Sequence, residues 1–286
     1  MQINNIEISI RGRLIKTARL KEEWYEDLEN PESLISQIKK NKIKADIFTF
    51  WQRLPETKPK YSYYMEWNSL AAIPINSFEH WFEKQINSGA RKAIRKAKKE
   101  GVIAKVADLN DEFVKGVTTI FNETPIRQGR PYSHYGENFE TVKQEFSKNL
   151  DRCDFIGAYY NDELIGFIQL GHAGKCAIPF GMVSKIEHRD KSPQNALVAK
   201  AVEICDIKQI PYLLYGYWSR GGLGDFKRHN GCIKMQVPRY YIPLTIKGQI
   251  ALKFNFHHGI SIILPDKLID YMITLRTKWY SRKYGK

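Results

Sequence analysis

Pro211-Tyr-Leu-Leu-Tyr-Gly-Tyr-Trp218 is a short apolar and aromatic run with strand character, and its flanks decide the fold. Upstream, Ser192-Pro193 opens a helix, with Ser as N-cap and Pro at the first helical position. Leu197, Ala201, Ile204 and Cys205 recur at helical spacing and turn one face toward a core. Downstream, Ser219-Arg-Gly-Gly-Leu-Gly224 breaks the strand. Asp225-Phe-Lys-Arg-His-Asn-Gly231 follows as a short basic helix, and Arg239-Tyr-Tyr-Ile-Pro-Leu244 as a further strand.

Before this stretch, residues 175–186 read as a strand containing Pro179 and Gly181. A proline inside a strand points to a bulge or an edge. The spacing predicts strands 175–186 and 212–218 side by side and parallel, joined by helix 193–208, as a crossover of that length demands. Residues 154–160 and 164–171 flank the turn Asn161-Asp162-Glu163 as a hairpin. Residues 102–106 form a strand, 109–123 a helix with Phe113, Val117 and Ile120 inside, and 138–149 a second helix.

Ser77 can cap a helix whose apolar face is Phe78, Trp81, Phe82 and Ile86, with Gly89 interrupting it. Ala90-Arg-Lys-Ala-Ile-Arg-Lys-Ala-Lys-Lys-Glu-Gly101 continues, with Ala90, Ala93, Ile94 and Ala97 inward and Gly101 as terminator. Arg91, Arg95 and Lys98 share one flank, Lys92, Lys96 and Lys99 the next. This one-sided sign favours a phosphate or carboxylate partner over a merely solvated face. Arg91 and Arg95 are therefore expected to bind substrate, and to be replaceable by Ala with little loss of stability. Glu123-Thr-Pro-Ile-Arg-Gln-Gly-Arg-Pro-Tyr-Ser-His-Tyr-Gly136 is an unusual loop. Arg127 and Arg130 can fork onto an anion, Tyr132 and Tyr135 can stack or donate, and His134 can exchange a proton near neutral pH.

Residues 6–10 and 14–18 read as a hairpin around Arg11-Gly12-Arg13. Residues 31–40 form a helix with Leu34, Ile35 and Ile38 on one face, and 45–52 and 61–75 are strands. Past Leu244, residues 249–257 and 260–264 read as strands, which makes His257-His258 a strand feature. Pro265 opens a last helix with Leu268, Met272, Leu275 and Trp279 on its apolar face and a basic end. That helix is expected to dock on the core; the sharper reading is a site for RNA backbone or anionic lipid.

A chain of 286 residues with 43% hydrophobic residues can bury a proper core. Its formal charge of +14 favours polyanionic partners: RNA, acidic precursors or an anionic membrane face. Cys153, Cys176, Cys205 and Cys232 form no Cys-x-x-Cys pair and read as small apolar core groups. The start has no signal-peptide pattern and no apolar run approaches a membrane span, so a cytoplasmic, reduced location is expected. No His-Glu-x-x-His, Gly-x-Ser-x-Gly or Walker-type loop is present, and no metal site is expected.

The order of elements from 192 to 241 resembles the C-terminal half of a GNAT-type acyltransferase domain. Phe226-Lys227-x-x-Asn230-Gly231 resembles the Phe-Lys-x-x-Phe-Gly segment of the Fem-type aminoacyltransferases, with Asn230 where the family has Phe. Those GNAT-like enzymes move an amino acid from aminoacyl-tRNA onto a cell-wall precursor, and a similar basic run precedes the first strand of their GNAT-like unit. The resemblance covers roughly residues 75–245. It implies an α/β fold with a mixed, partly splayed sheet, the acyl group lying between the splayed strands and the 123–136 loop bordering the acceptor site. Coenzyme A-using members carry a glycine-containing loop before the helix at 193. Here Arg189-Asp-Lys-Ser-Pro-Gln-Asn195 has no glycine, and Pro193 removes a donor, which counts against coenzyme A and not against the Fem type.

Acyl transfer needs alignment, stabilisation of an oxyanion and a route for one proton. Lys227 matches the Fem-type lysine and is the expected charge stabiliser, its side chain at the mouth of the groove between the parallel strands. Tyr215 is expected to bind substrate, and Tyr217 and His134 to pass the proton. The expected organisation is a strand-rich part (1–100) ending in the basic helix, a GNAT-like core (101–245) and a C-terminal segment (246–286). The first part is an accessory or a reduced second GNAT-like lobe. The expected function is acyl or aminoacyl transfer onto an amine or hydroxyl of an anionic, small or lipid-linked envelope or polysaccharide precursor. The donor is aminoacyl-tRNA or acyl-CoA, with no permanently bound cofactor; tRNA and an anionic membrane surface are the further partners considered. The alternatives are a coenzyme A-dependent N-acetyltransferase and a non-catalytic RNA-binding or membrane-surface protein on the same scaffold.

Overall fold

The computed structural model describes residues 2–3, 6–258 and 266–284, and the chain divides into two units, residues 1–69 with 235–271 and residues 70–234 with 272–286.

In the first unit, strand Ile6–Arg11 pairs antiparallel with Gln2–Ile3 and with Thr17–Leu20. The second arm of the hairpin lies three residues later than expected. Gly12 takes φ +102°, and a Cβ there would sit 2.0 Å from the Ile15 carbonyl oxygen, so the connection stays irregular up to Lys16. Strand Ile47–Trp51 lies parallel to Thr17–Leu20, the helix Pro31–Lys40 forming the crossover, and antiparallel to residues 239–243 of strand Ile233–Pro243. Asn30 caps that helix by accepting from the Ser33 N–H, and Leu34, Ile35 and Ile38 are buried, as their spacing predicts. They pack with Ile8, Leu20, Phe48, Phe50, Tyr240 and Ile242. A buried ion pair joins Arg239 to Glu23 at 3.1 Å, and Arg19 reaches the same carboxylate at 3.0 Å.

Residues 249–257 are not a strand. Thr245 accepts from the Gly248 N–H and starts a helix, Ile246–Lys253, which a 3₁₀ turn, Phe256–His258, follows. The cap lies just ahead of the misread segment, and capping decided the backbone state over side-chain composition. The strand expected at 260–264 and Pro265 lie outside the described residues.

The second unit is a mixed sheet. Its strand order is residues 70–74, Tyr212–Tyr217, Cys176–Ser184, Glu163–Ala173, Cys153–Tyr160 and Ile103–Ala107. Asn161 and Asp162 both take positive φ in the two-residue turn of the central hairpin, a conformation these residue types tolerate. Alternation along the strands divides the side chains between two faces. Ile156, Ala158, Ile168 and Leu170 meet helices Ser88–Lys99 and Pro193–Ile207, while Phe155 and Phe167 meet Asp111–Asn122 and Phe139–Phe146. The helix Ser88–Lys99 closes with bonds from Gly101 N–H to the Lys98 carbonyl and from Val102 N–H to the Ala97 carbonyl, with Gly101 at φ +86°.

In the helix Asp266–Tyr284, Met272, Leu275 and Trp279 are all about half accessible, so the expected docking on the core is not observed for them, while the Leu268 side chain lies outside those described. No helix among the described residues is long and apolar enough to cross a membrane.

Candidate functional site

Strands Cys176–Ser184 and Tyr212–Tyr217 are parallel neighbours, as the crossover spacing predicts. Their pairing holds at Cys176 with Tyr212 and Ala177 with Leu213, and at no later described position. Both strands run on, so they diverge toward their carboxyl ends. Each has a local cause. Along Cys176–Ser184, Leu170 faces Pro179 and Gln169 faces Gly181, leaving Phe180 as the extra residue of a bulge beside a proline that has no N–H to donate. Along Tyr212–Tyr217, Leu214 faces Ala72 and Tyr217 faces Leu70, three steps against two, with Gly216 at φ +71°. Across the wedge the Tyr215 hydroxyl donates to Met182 Sδ at 3.5 Å.

Lys227 is held at this divergence. The glycine run does not turn freely before it; it forms the start of a helix, Gly221–His229. Gly224 is required there, because a Cβ would sit 2.1 Å from the Ser219 carbonyl oxygen. The helix carries Lys227 back over the strand end, where Nζ donates to the Tyr217 carbonyl at 2.7 Å and lies 5.2 Å from the centroid of the Tyr215 ring. Lys227 is only 5% exposed, so it sits deeper than the groove mouth the sequence suggests. Burial pulls its pKa below the usual lysine value. Burial likewise raises the Tyr215 phenol and pushes the neighbouring Cys232 thiol up to about 12, leaving both neutral. Tyr217 is largely exposed, while its backbone oxygen holds Lys227.

Asn230 fixes the other end of the short helix. Buried almost completely, it accepts from Asn195 Nδ2 at 3.1 Å, donates to the Phe226 carbonyl at 2.8 Å, and its own carbonyl accepts from Trp81 Nε1 at 3.0 Å. Gly231, at φ +86°, completes the stop with bonds from Gly231 N–H to Arg228 O and from Cys232 N–H to Lys227 O. Phe226-Lys227-x-x-Asn230-Gly231 is thus a helix end whose lysine faces the wedge and whose asparagine ties three elements together. The sequence marks the glycine as a stop; the tie through Asn230, Trp81 and Asn195 joins distant segments and has no local signal. Ser192 stands at the N-cap position of Pro193–Ile207 in the left-handed region and makes no side-chain cap bond, contrary to its expected role.

The expected anion-binding arginines are engaged in structure. The chain from Phe78 runs through a π-helical turn, Trp81–Gln85, and breaks at Ile86 and Asn87, not at Gly89, because the Asn87 side chain accepts from the Ala90 N–H and starts the next helix. Arg91 donates to the carbonyls of Phe82 and Glu83 at 2.5 and 2.7 Å, and Arg95 lies 5.6 Å from the Phe82 ring centroid. The Arg91 guanidinium thus caps two carbonyls of the π turn instead of standing free on the helix flank.

Arg127 is likewise an anchor. It donates to the carbonyls of Ser184 and Ile120 at 2.9 and 2.8 Å and pairs with Glu123, whose other oxygen accepts from the Ile186 N–H at 2.6 Å. The loop is thereby tied to the far end of the splayed strand. Tyr132 lies under the Arg127 guanidinium, and burial pushes its phenol up to about 12. His134 stacks on Phe121 at 4.4 Å and bonds Glu137 at 2.9 Å. Arg130 and Tyr135 are exposed. The structure thus brings Tyr215, Tyr217 and Lys227 together, groups Arg127, Tyr132 and His134 around the loop, and places Arg91 and Arg95 at the π turn.

No protein-family model and no curated protein matches the sequence. Solved structures do. The C-terminal domain assigned to a lysylphosphatidylglycerol synthetase of Agrobacterium fabrum superposes with a TM-score of 0.58 at 12% identity, over 88% of this chain and 84% of that one. FemX gives 0.58 at 10% identity over 86% and 85%, and the L-PGS of Bacillus licheniformis 0.58 at 11% over 86% and 83%. The fold is GNAT-like. At this identity the likeness carries architecture alone.

Proposed function

We propose that this chain is an acyltransferase that accepts an aminoacyl ester and passes its acyl group to an amine or hydroxyl of an anionic envelope or polysaccharide precursor. The observation that carries the reading is the buried Lys227 at the carboxyl end of a parallel strand, beside strands that part after two paired positions. In open α/β sheets that is where ligands reside. The acceptor's nitrogen or oxygen attacks the acyl carbonyl, the carbon–oxygen bond to the ribose breaks, and the acceptor's proton leaves with the departing oxygen. Lys227 uses one of its three N–H donors on Tyr217 and can turn the others to the oxyanion or the leaving oxygen. A depressed pKa lets Lys227 relay that single proton, giving one to the departing ribose oxygen and regaining one from the acceptor, so that it ends the step protonated as it began.

An ester donor is favoured over coenzyme A by the entry to helix Pro193–Ile207. A 3₁₀ turn, Arg189–Lys191, precedes it, Pro193 has no N–H, and the side chain of Asn195 is committed to Asn230. Little remains there to cradle a pyrophosphate. Mass spectrometry of ligands retained on the purified chain, followed by a screen of aminoacyl-tRNA and acyl-CoA donors, tests the reading. Deacylation of aminoacyl-tRNA in the presence of an acceptor is expected. Preferential consumption of acyl-CoA would replace it with the N-acetyltransferase reading, and binding without turnover with the non-catalytic one.

A further inference from the structure

Within the unit formed by residues 1–69 and 235–271, the 3₁₀ turn Phe256–His258 aims two imidazoles at one carboxylate. His257 Nε2 lies 3.0 Å from Glu66 Oε1, and His258 Nε2 lies 2.7 Å from Glu66 Oε2. The two rings are 3.9 Å apart, and one ligand atom from each of the three residues lies within 4.8 Å of the other two. The His257 side chain is 1% exposed, with Tyr241 against it at 4.7 Å. The Tyr64 hydroxyl donates to Glu66 Oε1 at 3.2 Å and so orients the carboxylate.

A strand and a turn thus present two imidazole nitrogens and one carboxylate to a single point, the donor set and spacing that one cation can bridge.

We propose that Glu66, His257 and His258 bind a zinc-class divalent cation, which clasps the turn Phe256–His258 to the strand Tyr64–Pro74. Two imidazoles and one carboxylate suit zinc and its transition-metal neighbours and do not suit magnesium or calcium. Bonds of about 2.0–2.1 Å at tetrahedral angles set ligand atoms about 3.3 Å apart. The two short contacts, 3.0 and 2.7 Å, reach different oxygens of Glu66, and one ligand atom of each residue lies within 4.8 Å of the others, so side-chain adjustment brings the three onto one ion. The His258 side chain is 30% exposed, which leaves an entry path and a fourth position for water.

The test uses the full chain, stripped with chelator and titrated calorimetrically with zinc chloride, with magnesium chloride as control and cobalt(II) as spectroscopic probe. One equivalent of zinc should bind, cobalt should give a tetrahedral spectrum, and magnesium should not compete. Glu66→Gln and His258→Ala should each weaken zinc binding more than the roughly 10–100-fold typical of outer-shell changes. His188→Ala, in the separate Glu163–Glu187–His188 group, should leave it unchanged. Failure of the folded wild type to bind would overturn the proposal. So would undiminished binding by Glu66→Gln and His258→Ala with unaltered circular dichroism, or loss of binding in His188→Ala instead. Should the two site variants not fold, X-ray absorption on the zinc-loaded wild type decides: two imidazole ligands support the site, and their absence overturns it.

Discussion

Lys227 is a buried amine whose nearest bonded partner is a neutral carbonyl, and this has a measurable consequence. Burial lowers its folded pKa below the unfolded value. The folded state therefore binds fewer protons than the unfolded state in the window between the two values, and stability contributed by this group rises with pH there. At neutral pH the buried charge costs stability; as pH climbs through the depressed pKa toward the ordinary lysine value, that cost is relieved. Lys227→Met carries no such cost. Chemical denaturation of both proteins from pH 7 to 10 should show wild type gaining on the Met variant, and a difference independent of pH would contradict a depressed lysine. At this scale the sequence was informative about which lysine to examine, because a short motif marked it. It was silent on burial, which depends on where Tyr215 and Cys232 come to lie.

The helix Ser88–Lys99 shows which features of an element are written locally. Its end is: Gly101 and the inward Ala90 and Ala97 follow from residue type and spacing, whereas Gly89 drew the reading away from the true cap at Asn87. The Asn161-Asp162 turn is likewise written locally. The π turn before it is not, since an i to i+5 ladder has no periodicity distinct from an α-helix over five residues. Without that turn in view, Arg91 reads as a free cation. Arg91→Ala should therefore lower stability by about 1.5–3 kcal/mol, the range for hydrogen bonds to charged groups. Arg95→Ala should cost less than about 1 kcal/mol, as an exposed cation–π contact does. Urea denaturation distinguishes them. Equal, negligible losses would mean that the Phe82 and Glu83 carbonyls find water instead. The bulge beside Pro179 was legible from the proline, but the matching one at Gly216 was not: a lone glycine in an aromatic strand leaves its register open.

Across the whole molecule, charge that looks like surface in the sequence is partly interior. Arg239 lies in a strand of alternating apolar residues and pairs with Glu23, some two hundred residues earlier, where both are nearly inaccessible. Removing one partner of a buried pair strands the other, so Arg239→Met should cost about 3–5 kcal/mol, toward the lower end because Arg19 still reaches the carboxylate. Equilibrium unfolding showing a loss below about 1 kcal/mol would mean that Glu23 is solvated. The parallel crossover of the second unit was readable from helix length and one bulge from a proline, whereas the splay was expected only from the family resemblance. The helix Ile246–Lys253 was misread because its aromatic, β-branched neighbourhood outweighed a single threonine cap.

The central claim is that acyl transfer takes place where strands Cys176–Ser184 and Tyr212–Tyr217 part, with charge at the reacting centre stabilised by Lys227. Single-turnover transfer from an aminoacyl-tRNA by wild type and by Lys227→Met tests it most directly. Met keeps much of the stem and removes the charge, so a rate lowered by about 100-fold or more at saturating donor is predicted. A Met variant within a factor of about three of wild type, well under 1 kcal/mol of barrier, would contradict it.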